Sequence, residues 1–166
     1  VDDFETKEEV LPPELTPWLR TVISAKRLRE VRVLTGFTRI FPSGDEQAAD
    51  ANRIAPISKE RMRWLPAVEV KGEGIFLALN SERLKKWEKK FEDRARELKA
   101  RYDSEINQRS NGTIPHGQME ITPRFLLLHS LSHALMKQLS VRCGYSSASL
   151  RERLYCDEDM CGILIY

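Results

Sequence analysis

Three cysteines among 166 residues, no apolar run of membrane-spanning length and no nucleotide-binding motif set the first limits on this chain. A small, odd number of cysteines does not support a framework of paired disulfides and points to a reducing cytoplasm. No window approaches the ~18 consecutive apolar residues that a membrane helix requires. The opening residues also lack the apolar core of a signal peptide, so no membrane partner is expected. Gly72-Glu73-Gly74 invites comparison with a phosphate-cradling loop. However, no Gly-Lys-Ser/Thr follows, and Ile75–Leu79 reads as a strand rather than a helix start. The chain carries no visible ATPase motif and no internal repeat.

What is present is the composition of a globular domain, 41% apolar and 31% charged. The net charge of +2 is unevenly distributed. Asp2, Asp3, Glu5, Glu8, Glu9 and Glu14 face Lys7 alone in the first fifteen residues. Lys26, Arg27, Arg29, Arg32 and Arg39 follow, opposed in that stretch by Glu30. Residues 1–19 therefore read as an acidic, poorly ordered lead-in, and residues 20–166 as the domain. A short helix is expected around Pro17–Ile23. The closing run Gly162–Tyr166 has the character of a buried strand, so the sequence reads as part of a larger protein, with that strand cut short and its edge unpaired.

The pattern predicts an α+β fold, a single mixed domain. Its elements are a sheet containing a β-hairpin, one long amphipathic helix and one buried central helix. Leu28–Phe41 alternates like a strand, with Gly36 marking a bulge or a close backbone approach. Pro66–Lys71 and Ile75–Leu79, joined by Gly72-Glu73-Gly74, predict the hairpin. Ser81 is placed to cap a helix reaching about Asn107, with an apolar seam through Leu84, Trp87, Phe91, Ala95 and Leu98. Its remaining faces carry charges of both signs and read as ordinary solvated surface. Ser110–Thr113 reads as a turn. Thr122 and Pro123 then form an N-cap and first helical position, and the helix runs to Cys143 before Gly144. Phe125, Leu127, Leu128, Leu131, Leu135, Met136 and Leu139 make this helix apolar nearly all round, the mark of a buried element. Ser149 and Glu152 stand at capping-box spacing.

His129 and His133, at i and i+4, form the most pointed chemical feature. The spacing matches a zinc-protease pair, but Ser130 stands where the general-base glutamate is needed. A metal-dependent hydrolase is thereby disfavoured. The expectation is a structural polar core, with both imidazoles buried and hydrogen-bonded and no metal between them. Cys143, Cys156 and Cys161 are weak metal candidates at a spacing that matches no recognised zinc finger. Arg27, Arg29, Arg32 and Arg39 are candidate phosphate contacts. Arg151 and Arg153 rank behind them, because Glu152 and the loop Asp157–Asp159 could occupy them as ion pairs.

Three blocks in this order resemble one family. They are Arg27–Arg39 (RLREVRVLTGFTR), Trp64–Leu77 (WLPAVEVKGEGIFL), and Leu127–His133 with Cys143–Arg153 and Gly162–Tyr166. Together they resemble the helicase-associated domain of the DrmB family, a component of bacterial DISARM anti-phage systems. A related domain lies at the C-terminus of MrfA-type DNA-repair helicases, which makes a repair accessory domain the alternative. The resemblance implies a non-catalytic module working with a DrmA-like helicase and DNA. It also implies no cofactor in this chain, and zinc, if any, at cysteines further along the full-length protein.

Overall fold

Alternating strands and two long helical periods are both realised. A computed structural model of the chain describes residues 4–37, 54–60, 62–109, 120–146, 148–157 and 160–166. The elements run β1 (Glu5–Glu9), β2 (Leu19–Val33), β3 (Gly36–Phe37), β4 (Ala55–Pro56) and β5 (Ala67–Leu79). They continue with α1 (Ser81–Arg109), α2 (Pro123–Cys143), β6 (Glu152–Cys156) and β7 (Cys161–Ile165). The expected α+β class is what is found. The main sheet has the order β1-β2-β5-β7-β6, and β3 and β4 form a separate two-stranded ribbon. The chain divides into two compact units, one from Val1–Arg29, Lys71–Lys99 and Ile121–Tyr166, the other from Glu30–Val70 and Ala100–Glu120.

Several elements differ from expectation. The acidic opening is extended, but Glu5–Glu9 is an ordered strand paired antiparallel with β2, Glu9 opposite Val22 and Glu5 opposite Arg27. Thr21 and Ser24 on β2 donate hydrogen bonds to Glu8 and Glu9, so side chains reinforce a ladder that composition alone disfavours. The carboxyl of Glu9 lies below its ordinary pKa, held there by Lys7 and Ser24. The expected helix near Pro17 is absent. A turn precedes β2, with the Leu19 N–H donating to Leu15 C=O, and Val22 and Ile23 go into the strand.

The hairpin predicted at Gly72-Glu73-Gly74 is instead one uninterrupted strand, β5. A two-residue primed turn needs positive φ, and among the described residues Gly144 is the glycine that has it. Gly74 serves a close approach: an added Cβ would lie 3.0 Å from Ile165 O. The true hairpin is β6–β7, with Cys156 opposite Cys161 and Leu154 opposite Ile163. β7 also pairs with β5, from Ile75 opposite Ile165 to Ala78 opposite Gly162. The closing strand is therefore an interior strand with both edges satisfied, not an unpaired edge.

In the first unit, Leu79, Leu84, Leu128, Cys161, Ile163 and Ile165 form the core, with Leu131, Leu135, Leu139 and Leu154 packed against it. Asn80, one residue before the expected cap, starts α1: its side chain accepts the Arg83 N–H at 3.2 Å. Trp87 and Phe91 stack along the seam, and Arg83 lies over the Trp18 ring. α2 begins and ends as expected. The Thr122 hydroxyl accepts the Phe125 N–H, and Gly144 closes the helix in the left-handed region. Its burial differs from expectation. Leu128 and Ser132 are fully buried, whereas Val141 is 74% exposed, so α2 buries one face only.

Candidate functional site

The site is assembled from α2 and β6. Helical spacing stacks His129 and His133 one turn apart, with ring centroids 4.4 Å apart and planes perpendicular. Phe125, one turn earlier, stacks on His129. In β6 the period of two puts Glu152, Leu154 and Cys156 on one face. Leu154 and Cys156 pack into the core beside α2, so the Glu152 carboxylate is carried to the histidines. His129 Nδ1 lies 2.9 Å from Glu152 Oε1. Glu152 Oε2 accepts from Ser132 Oγ, which also lies 2.8 Å from the His129 carbonyl. His133 Nε2 lies 3.8 Å from Glu152 Oε1, too far for a hydrogen bond.

This corrects the expectation of a buried polar core. The His129 and His133 side chains are 44% and 60% exposed, while Ser132 between them is the buried polar residue. The capping box is likewise absent: Ser149 bonds back to Ser146 C=O in a turn, and Glu152 opens a strand. Glu152 is the site residue that the sequence reading misassigned. Its signal was the alternation Glu152, Leu154, Cys156 ahead of an apolar strand.

Beside this group, Arg124 joins three elements. It forms a two-pronged pair with Glu88 of α1 at 2.6 and 3.3 Å and donates to the carbonyls of Cys156 and Asp157. Glu88 raises the guanidinium pKa above its ordinary value, against the opposing effect of burial.

No family model matches the chain. Among curated proteins, DISARM protein DrmB of Bacillus paralicheniformis is 36% identical to it over 171 aligned residues. The match takes in 99% of this chain and 29% of that protein. This is a DrmB-like domain. It spans less than a third of the length of the curated relative it matches.

The DrmB-like domain does not present its basic residues as their spacing suggested. Arg27 lies 3.5 Å from Glu5 and Arg32 2.7 Å from Glu30, so acids occupy two of the four leading candidates. Arg29 also has a partner, and Arg39 lies outside the described residues. Arg151 and Arg153 are exposed. Glu152 does not occupy them, because alternation turns it to the opposite face and onto His129 and Ser132.

Two of the three cysteines meet, Cys156 opposite Cys161 across the β6–β7 hairpin, while Cys143 ends α2. Cys143 is exposed, Cys156 half-buried and Cys161 buried. Burial raises the Cys156 thiol pKa and pushes that of Cys161 up to about 11, so these two stay protonated at neutral pH. Among the described residues, the three-donor group close enough to share an ion is His129, His133 and Glu152. No described helix is long and apolar enough to cross a membrane.

Proposed function

We propose that this DrmB-like domain is a non-catalytic, cytoplasmic module of a DISARM-type anti-phage defence protein, supporting a helicase partner and touching DNA. The observation that carries the reading is the 36% identity to DISARM protein DrmB across 99% of the chain. The exposed pair Arg151 and Arg153, at the start of the β6–β7 hairpin, supplies the phosphate-binding chemistry. Arg153 lies on the face of β6 opposite Glu152, and Arg151 directly precedes the strand, so a backbone phosphate can approach Arg153 without meeting that carboxylate.

Each phosphate neutralised on duplex DNA adds about 0.9 to the slope of log affinity against log salt. Replacing Arg151 and Arg153 together with alanine in the full-length protein should flatten that slope by about 2, with the helicase still co-purifying. Fluorescence anisotropy over a salt series measures it. An unchanged slope in an intact complex would remove DNA contact from this face and leave a scaffold for the helicase. Loss of co-purification by the wild-type protein would remove the helicase.

A further inference from the structure

We propose that His129, His133 and Glu152 bind one divalent transition-metal ion of the zinc class, clamping α2 to β6. The three donor atoms lie within 4.8 Å of one another. Ligands arranged tetrahedrally around zinc at 2.0–2.2 Å stand about 3.3–3.5 Å apart. The two distances to Glu152 Oε1, 2.9 Å from His129 Nδ1 and 3.8 Å from His133 Nε2, bracket that spacing. Small side-chain rotations therefore seat an ion without moving the backbone.

His133 gives the second reason. Its Nε2 lies 3.8 Å from a carboxylate oxygen, beyond hydrogen-bonding reach, a gap that an ion between them would bridge. The carboxylate is already oriented for the task. Its other oxygen accepts from Ser132, which is fully buried and whose hydroxyl oxygen also lies 2.8 Å from the His129 carbonyl. Supporting hydrogen bonds of this kind fix ligands in metal sites. Two imidazoles and one carboxylate suit zinc and its neighbours better than calcium or magnesium, which take oxygen ligands. Both side chains are partly exposed, so water can reach the ion as a fourth ligand. Binding replaces the proton shared by His129 and Glu152, and the ion then ties the helix to the strand at two points.

The test uses tag-free protein stripped with chelator and titrated calorimetrically with zinc chloride, then with cobalt(II) followed by visible absorption. One equivalent of zinc is expected, with cobalt giving the intense bands of a four-coordinate site. At a hundredfold excess over Kd, the melting temperature should rise by about 5–10 °C. His133→Ala, at an exposed position, and the near-isosteric Glu152→Gln should each weaken zinc binding at least about tenfold and abolish the thermal shift. Absence of stoichiometric binding to the wild-type protein overturns the site. So does Glu152→Gln binding zinc as the wild type does, since the ion would then be held by the two histidines alone. If Glu152→Gln fails to fold, His133→Ala decides: wild-type affinity in that variant overturns the site.

Discussion

The two compact units use the same chain chemistry and reach different degrees of burial. In the unit formed by Val1–Arg29, Lys71–Lys99 and Ile121–Tyr166, strands meet helices, and Leu128 and Ile163 are sealed from solvent. In the unit formed by Glu30–Val70 and Ala100–Glu120, no described residue is buried. Val31, Phe37, Trp64 and Val68 are there 52–66% exposed. Residues of similar strand propensity occur in both, so propensity cannot be the difference. Among the described residues, what separates the units is a second layer: α2 lays Leu128, Leu131 and Leu135 on the sheet, and a sheet face becomes a core only when another layer covers it.

The largest effect that can break this comparison comes from truncating one apolar side chain in each unit. Ile163→Ala should cost about 2–5 kcal/mol, because a fully enclosed side chain leaves a cavity. Val31→Ala, at a 52% exposed position, should cost less than about 0.5 kcal/mol. Urea denaturation midpoints measure both, and equal costs would mean that the second unit has a core of its own.

A smaller effect comes from adding a methyl group. A Cβ on Gly162 would lie 2.6 Å from Leu77 O and 2.7 Å from Phe76 Cζ, inside a sheet fixed on both sides. Gly162→Ala should cost about 1–3 kcal/mol. A Cβ on Gly36 would meet Ile54 Cγ2 at 2.5 Å and Ala55 O at 2.8 Å, but a two-stranded ribbon yields more readily. Gly36→Ala should therefore lower the melting temperature less than Gly162→Ala does, and the reverse order would show the ribbon to be the stiffer structure.

The smallest expected effect maps the gradient within the first unit. With a maleimide at neutral pH, exposed Cys143 should label first and Cys161 only on unfolding, as burial and its raised pKa both protect it. Mass spectrometry of digested samples reads the order. Ready labelling of Cys161 in the folded protein would mean that the β6–β7 hairpin opens far more easily than its pairing suggests.

The elements most legible in the sequence were those whose signals are local. Thr122, Pro123 and Gly144 marked the ends of α2, and the spacing of Leu84, Trp87 and Phe91 marked α1. Gly36 was also legible as a close approach, meeting Ile54 and Ala55. Tertiary choices were not. Gly72-Glu73-Gly74 satisfies the rule for a hairpin, yet it lies within β5, a strand held between β2 and β7 in the main sheet. The acidic opening has the composition of disorder, yet β2 offers it a hydrogen-bonding edge and the donors Thr21 and Ser24. At the candidate site, helical spacing alone paired the two histidines. Glu152 required knowing that β6 packs under α2, and the ion pair of Arg27 required knowing that Glu5 lies opposite it across strands.

The placement of β7 also dictates when the fold can be completed. Its partner β5 lies far earlier in the chain, and the pairing of Ile75 with Ile165 must wait for a loop across both helices to close. During synthesis β5 emerges with one edge unfilled and keeps it so while α1 and α2 are made. In that interval the exposed backbone of Ile75–Ala78 is open to pairing with any other extended chain nearby. Fast local formation of the two helices, which need no distant partner, would shorten the search by holding the sheet face ready for the last strand.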